Sequence, residues 1–167
     1  DSEGVFLDLK AVEYGITRNA ALKATGAVSF TATAAVTIPK GTRVSNTVQS
    51  GFSPIEFETD VELVFTDIIN EPVKSVKVTA IIADKDGNLI IGDIDRLITS
   101  VPNISVVNNP TAIAGGSDEE TDEALQARSL RKIRQPSRGG NIGDYITWAR
   151  EADPRVGKVH IDPLWNG

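Results

Sequence analysis

Two periods divide the chain. Val28, Phe30 and Ala32 alternate with Ser29, Thr31 and Thr33, the period of two that a half-buried strand requires. Val36 and Ile38 predict a second short strand, and Pro39-Lys40-Gly41-Thr42 breaks it with a turn. Val44, Phe52, Ile55, Phe57, Val61, Leu63 and Phe65 continue the β-like pattern, and Val76, Val78, Ala80 and Ile82 alternate cleanly. Asp84-Lys85-Asp86-Gly87-Asn88, followed by Leu89, Ile90 and Ile91, predicts a β-hairpin in which Gly87 supplies positive φ. Ile94, Leu97 and Ile98 fit either a helical turn or a strand end. Ile104, Val106 and Val107 predict a strand closed by Asn108-Asn109-Pro110. At the start of the chain, Val5, Phe6, Leu9 and Val12 recur at helical spacing over residues 5–14, with Gly15 as the stop.

The period becomes helical from residue 117. Ser117 and Glu120 fit a capping box, in which each side chain satisfies the other's backbone N–H. Asp118, Glu119, Glu120, Asp122 and Glu123 then fall in the first two turns, and Arg128, Arg131, Lys132 and Arg134 in the last two. No acid stands three or four residues before a base, so the helix dipole rather than side-chain pairing accounts for the segregation. Ala124, Ala127, Leu130 and Ile133 form the expected buried stripe, with Leu125 beside it. Gln135-Pro136 ends this helix and Arg138-Gly139-Gly140 connects it to a second. Asn141 caps the second helix, whose buried face is expected to carry Ile142, Tyr145, Trp148, Ala149 and Ala152. Asp153-Pro154 stops it, and Val159 and Ile161 alternate with Lys158 and His160 as a closing strand. The expected class is α+β: a mainly-β N-terminal and central domain, then a helix-loop-helix with a closing strand. The expected parts are an N-terminal helical segment over residues 1–25, a β-rich domain over 26–109, and an α+β segment over 110–167. The abrupt ends suggest a piece of a longer polypeptide.

Composition narrows the chemistry. The 167 residues carry net charge −6, which argues against a nucleic-acid-binding chain, since such chains show a basic footprint. There is no cysteine, which excludes disulfides and thiolate metal sites, and His160 is the one histidine. No apolar run reaches the roughly 18 residues needed to span a membrane. The glycine pairs lack the Gly-Lys-Ser/Thr ending of a phosphate-binding loop. Asp84 to Asn88 resembles the start of a calcium loop but lacks its third acid and its closing Glu. Helix-start acids ordinarily face water, and no acid pair stands out as a glycosidase dyad. The expectation is a protein without catalytic residues, metal, cofactor, small-molecule substrate or membrane insertion. The feature left over is the basic helix end, Arg128, Arg131, Lys132, Arg134 and Arg138, a candidate surface for an acidic protein partner. Ser117, Glu120 and Asn141 are read as caps, and Tyr145 and Trp148 as packing residues.

The last third resembles the core signature of the baseplate J-like family, wedge proteins of contractile phage tails and related injection systems. The resemblance rests on Asn109-Pro110, Gly115-Gly116 with Asp118 to Glu123, Arg128 to Arg134, Pro136 to Asn141, Asp144-Tyr145 with Trp148-Ala149, and Val159 to Trp165. "FLDLKAVEYGITRNAALKATGAVSF" is similar to the family's helix, Gly-Ile-x-Arg and first-strand segment, and "IPKGTRVS" to its turn. The resemblance implies a structural role in the virion, in the tail baseplate, after synthesis in the bacterial cytoplasm. It implies that the chain joins hub- and sheath-proximal parts to fibre-bearing parts, with other baseplate proteins and copies of itself as partners. Two other readings predict different behaviour. A tail-associated glycan hydrolase would lose turnover when one acid pair is changed. An adhesin would bind cell-surface material through an exposed aromatic or polar platform.

Overall fold

The computed structural model describes residues 2–47, 53–134, 142–153 and 155–162. The chain divides into two compact units, residues 20–119 and residues 1–19 with 120–167.

The first unit is β. Its strands are β1 (Thr25–Ala32), β2 (Val36–Ile38), β3 (Arg43–Asn46), β4 (Glu56–Thr59), β5 (Leu63–Phe65), β6 (Val73–Ala80), β7 (Ile94–Leu97) and β8 (Ile104–Asn108). Six of them form a sheet in the order β7-β3-β4-β6-β1-β8, while β2 and β5 pair separately. Every pairing is antiparallel. The end strands β7 and β8 lie beside each other, so the sheet curls round into a barrel. The alternation in the sequence is what fills it. Val28, Phe30 and Ala32 of β1 and Val76, Val78 and Ala80 of β6 point inward, none more than 5% exposed. Phe57 of β4, Phe65 of β5, Val44 of β3 and Ile94 of β7 complete the core.

Asn109 closes the seam. Its side chain is fully buried, and its Oδ1 accepts from the Ile94 N–H at 2.9 Å. Its Nδ2 donates to the carbonyls of Ile90 at 2.7 Å and Thr111 at 2.9 Å. One amide thus ties the end of β8 to the chain entering β7 and leaves no polar atom of its own unpaired.

The expected hairpin at 84–91 is not formed. Lys85–Gly87 is a single 3₁₀ turn, with the Asp84 side chain accepting from the Gly87 N–H at 3.0 Å. Gly87 does not have positive φ. Its lack of a side chain serves packing instead, since a Cβ there would lie 3.0 Å from that of Ala24. Leu89 exchanges backbone hydrogen bonds with Ile113, not with the end of β6. The ambiguous stretch at 94–98 resolves as β7.

Residues 113–118 are bound back onto the barrel. Ala114 bridges Thr25 and Ser117 bridges Leu22. The Asn88 amide accepts from the Gly116 N–H and donates to its carbonyl, at 2.9 and 2.8 Å. The two glycines are needed here: Gly115 has φ +93°, and a Cβ on Gly116 would collide with the backbone carbonyl of Asp84. The β unit, residues 20–119, includes this segment.

The second unit contains α1 (Ser2–Glu13), α2 (Asp122–Arg134) and α3 (Ile142–Ala152). Gly15 ends α1 as expected. It has φ +68°, and the Ile16 N–H reaches back to the Ala11 carbonyl at 3.0 Å while the Gly15 N–H reaches Val12 at 2.9 Å. This double closure swings Ile16 back over Ala11. Ala11, Ile16 and Leu125 form the small core, with Leu7 packed against it.

That closure brings α1 and α2 together through Ala11, Ile16 and Leu125, and the buried faces of the three helices are not the expected ones. Val5, Phe6, Leu9 and Val12 of α1 are exposed. In α2 the buried residues are Leu125 and Ser129, whereas Ala124, Ala127, Leu130 and Ile133 face solvent. In α3 the buried residue is Asp144, whereas Ile142, Tyr145 and Trp148 are exposed. The capping box is not formed either. Ser117 is held extended by its bridge to Leu22, so α2 starts at Asp122, and the Thr121 hydroxyl accepts from the Ala124 N–H at 3.3 Å. Residues 156–162 do not form the expected closing strand. The helix end at Gln135-Pro136, Arg138 and the Asn141 cap lie outside the described residues.

Candidate interaction surface

The charged residues of the helical unit fall into two sets, one committed to structure and one free. Arg18, in the turn after α1, is the centre of the first set, with its side chain 14% exposed. It donates to Asp8 at 2.9 Å, to the Glu120 carbonyl at 2.6 Å and to Asp122 at 2.6 Å. Glu120, its side chain 9% exposed, takes two bonds from Arg128 at 2.9 and 2.6 Å and one from the Asn19 N–H at 3.0 Å. Arg128 also donates to the Thr17 carbonyl at 2.6 Å. Burial pushes the Glu120 carboxyl up, but the Arg128 guanidinium and the Asn19 N–H outweigh it and hold the pKa below the ordinary value. Glu120 is thus a clamp on the 17–19 turn and not a helix cap.

This places the five expected interaction residues in different roles. Arg128 is half-buried and spent on the clamp. Lys132 pairs with Glu151 of α3 at 3.2 Å. Arg131 and Arg134 are exposed and, among the described residues, hold no hydrogen bond or ion pair. They border a shallow patch with Ala127 and Leu130. Arg138 lies outside the described residues. Tyr145 and Trp148 do pack, but on each other: their rings meet edge to face at 5.3 Å and 76°, on the solvent side of α3. The sequence reading missed Arg18 and Arg150. The spacing Gly15-Ile16-Thr17-Arg18 after a helix was the available signal for Arg18.

Among the described residues, no group of three or more His, Cys, Asp or Glu is placed to hold a metal ion. His160 is exposed. Asp118 lies below the ordinary carboxylate range because the Lys85 ammonium and backbone N–H bind it, which is again a structural tie.

Comparison with known proteins agrees with this barrel. The family model described as the baseplate J-like protein barrel domain matches residues 27–116, which is more than half of the chain. The chain belongs to the baseplate J-like family. The matched segment ends within the Gly115-Gly116 closure, so the family's barrel and the β unit coincide almost fully. Longer similarities take in the helices as well. The chain is 32% identical to the phage-like element PBSX protein XkdT of Bacillus subtilis, over 99% of this chain and 42% of that protein. It is 32% identical to the baseplate protein gp47 of Escherichia phage Mu, over 92% of this chain and 41% of that protein. The chain thus spans about two fifths of the length of the curated relatives it matches. A chain in the cryo-EM structure of the anti-feeding prophage baseplate has the same fold, with a TM-score of 0.68 at 15% identity, covering 93% of this chain and 47% of that one.

Proposed function

We propose that this chain is a structural part of a phage or prophage tail baseplate. It sits in a wedge of a contractile tail, where it joins hub- and sheath-proximal proteins to peripheral, fibre-bearing ones. The observation that carries the reading is the family barrel over residues 27–116, together with 32% identity to a baseplate protein of phage Mu over 92% of this chain. The role is assembly rather than turnover, and the partners are neighbouring baseplate proteins, with a second copy of the chain among the candidates. The place is the virion, reached after synthesis in the host cytoplasm.

The free cations Arg131 and Arg134, with the exposed apolar residues around them, are the proposed contact surface. Quantitative mass spectrometry of contractile particles from the source organism tests the role. The chain is expected at wedge stoichiometry, and its absence from intact particles would end the reading. Arg131→Glu with Arg134→Glu is expected to leave the helical circular dichroism unchanged and to lower incorporation. Normal incorporation of a folded double variant would remove those two residues from the contact surface.

A further inference from the structure

Inside the helical unit lies a cleft of about 380 Å³ between the 15–19 turn, α2 and α3. Its apolar lining is Ile16, which is buried, and Ile146, which is half-buried. Around them stand Arg128, Arg131, Lys132 and Arg150, against a single acid, Glu151. Two of the four cations are already neutralised, Arg128 by Glu120 and Lys132 by Glu151. The other two are not. Arg131 has no partner among the described residues, and Arg150 has only a 3.5 Å contact to the Gly157 carbonyl. In a chain of net charge −6, the cleft is a local reversal of sign.

We infer that this cleft docks a short acidic segment of another baseplate protein. The inference rests on the assembly reading above and specifies the chemistry of one contact. Guanidinium groups offer paired donors that match carboxylate oxygens, and each retains its full charge at any working pH. The segment presents one carboxylate to Arg131 and one to Arg150, and an apolar side chain fills the space over Ile16 and Ile146. The volume suits a few side chains and not a folded domain. A nucleic acid fits less well. It gains affinity by neutralising a run of phosphates, and here there are two free cations in an acidic molecule.

Fluorescence anisotropy with a labelled eight-residue peptide of alternating glutamate and leucine tests this on the 167-residue chain. Saturable binding is expected, weakening with added salt and by about tenfold or more in Arg131→Glu with Arg150→Glu. Lys40→Glu with Arg96→Glu makes the same charge change on exposed residues of the β unit and is expected to bind like the parent. Circular dichroism identifies any variant that has not folded, and Arg131→Gln with Arg150→Gln then replaces it. Equal weakening in the two charge-reversed proteins, or no binding at all, overturns the inference. So does stronger displacement of the peptide by a single-stranded oligonucleotide of equal charge than by unlabelled peptide. These outcomes are read separately from the particle experiment: a chain present in particles but without cleft-dependent binding keeps the assembly role and loses this contact.

Discussion

At the scale of single residues, the fold depends on a few polar groups that do several jobs at once. Asn109 is the clearest. Replacing it with Ala removes three hydrogen bonds and strands the buried N–H of Ile94. We expect a loss of about 1–3 kcal/mol in urea unfolding, the cost of leaving a buried polar group unpaired. A loss within a few tenths would show that the seam does not depend on this amide. Glu120 makes a prediction about pH. Its folded pKa is lowered, so its contribution is complete above the unfolded value of about 4.3 and is lost as pH falls through the folded value. Helical circular dichroism should therefore fall at acidic pH, and Glu120→Gln should flatten that dependence. Parallel profiles for the two proteins would put the acid sensitivity elsewhere. Asn109 and Glu120 both stood out in the sequence, but their roles did not. Asn109 looked like a turn residue and Glu120 like a cap, because local spacing cannot show a partner such as Ile94 N–H or Asn19 N–H that the fold brings in from elsewhere.

At the scale of elements, strands were more legible than helices. The alternation named the inward residues Val28, Phe30 and Ala32 of β1 and Val76, Val78 and Ala80 of β6, since only two faces exist and one is apolar, while Ile82, past the end of β6, is exposed. The helices were found but their faces were misassigned. Apolar residues occur on more than one side of each, and for α1 and α2 the turn at Gly15 and Ile16 chooses between them by carrying Ile16 onto Ala11 and Leu125. The choice has a mutational consequence. Leu125→Ala should cost about 2–5 kcal/mol, since its side chain is fully buried. Trp148→Ala should cost less than about 1 kcal/mol, because the residue is 44% exposed and its ring meets the exposed Tyr145. Thermal or urea unfolding of the two variants checks this directly. If Trp148→Ala proved the more damaging, the apolar face of α3 would be packed in the protein.

At the scale of the whole molecule, the two units differ in how much they bury. The β unit has a core of three phenylalanines surrounded by aliphatic side chains from all eight strands or their flanks. The helical unit has Ala11, Ile16 and Leu125, with Leu7 beside them, and an ion-pair network around Arg18 and Glu120. Partly exposed ion pairs add little to stability in water, whereas buried apolar surface adds most of it. The two units should therefore open at different free energies. Hydrogen exchange read by mass spectrometry is expected to show the amides of β1, β4 and β6 protected far longer than those of α1, α2 and α3. The cations proposed above as contacts, Arg131, Arg134 and Arg150, all lie on the helical unit, so a partner that covers them should slow exchange in the helices and leave the barrel almost unchanged. Uniform protection across both units would mean that the helices draw stability from contacts other than their own small core, and the argument for a partner-dependent helical unit would fail with it.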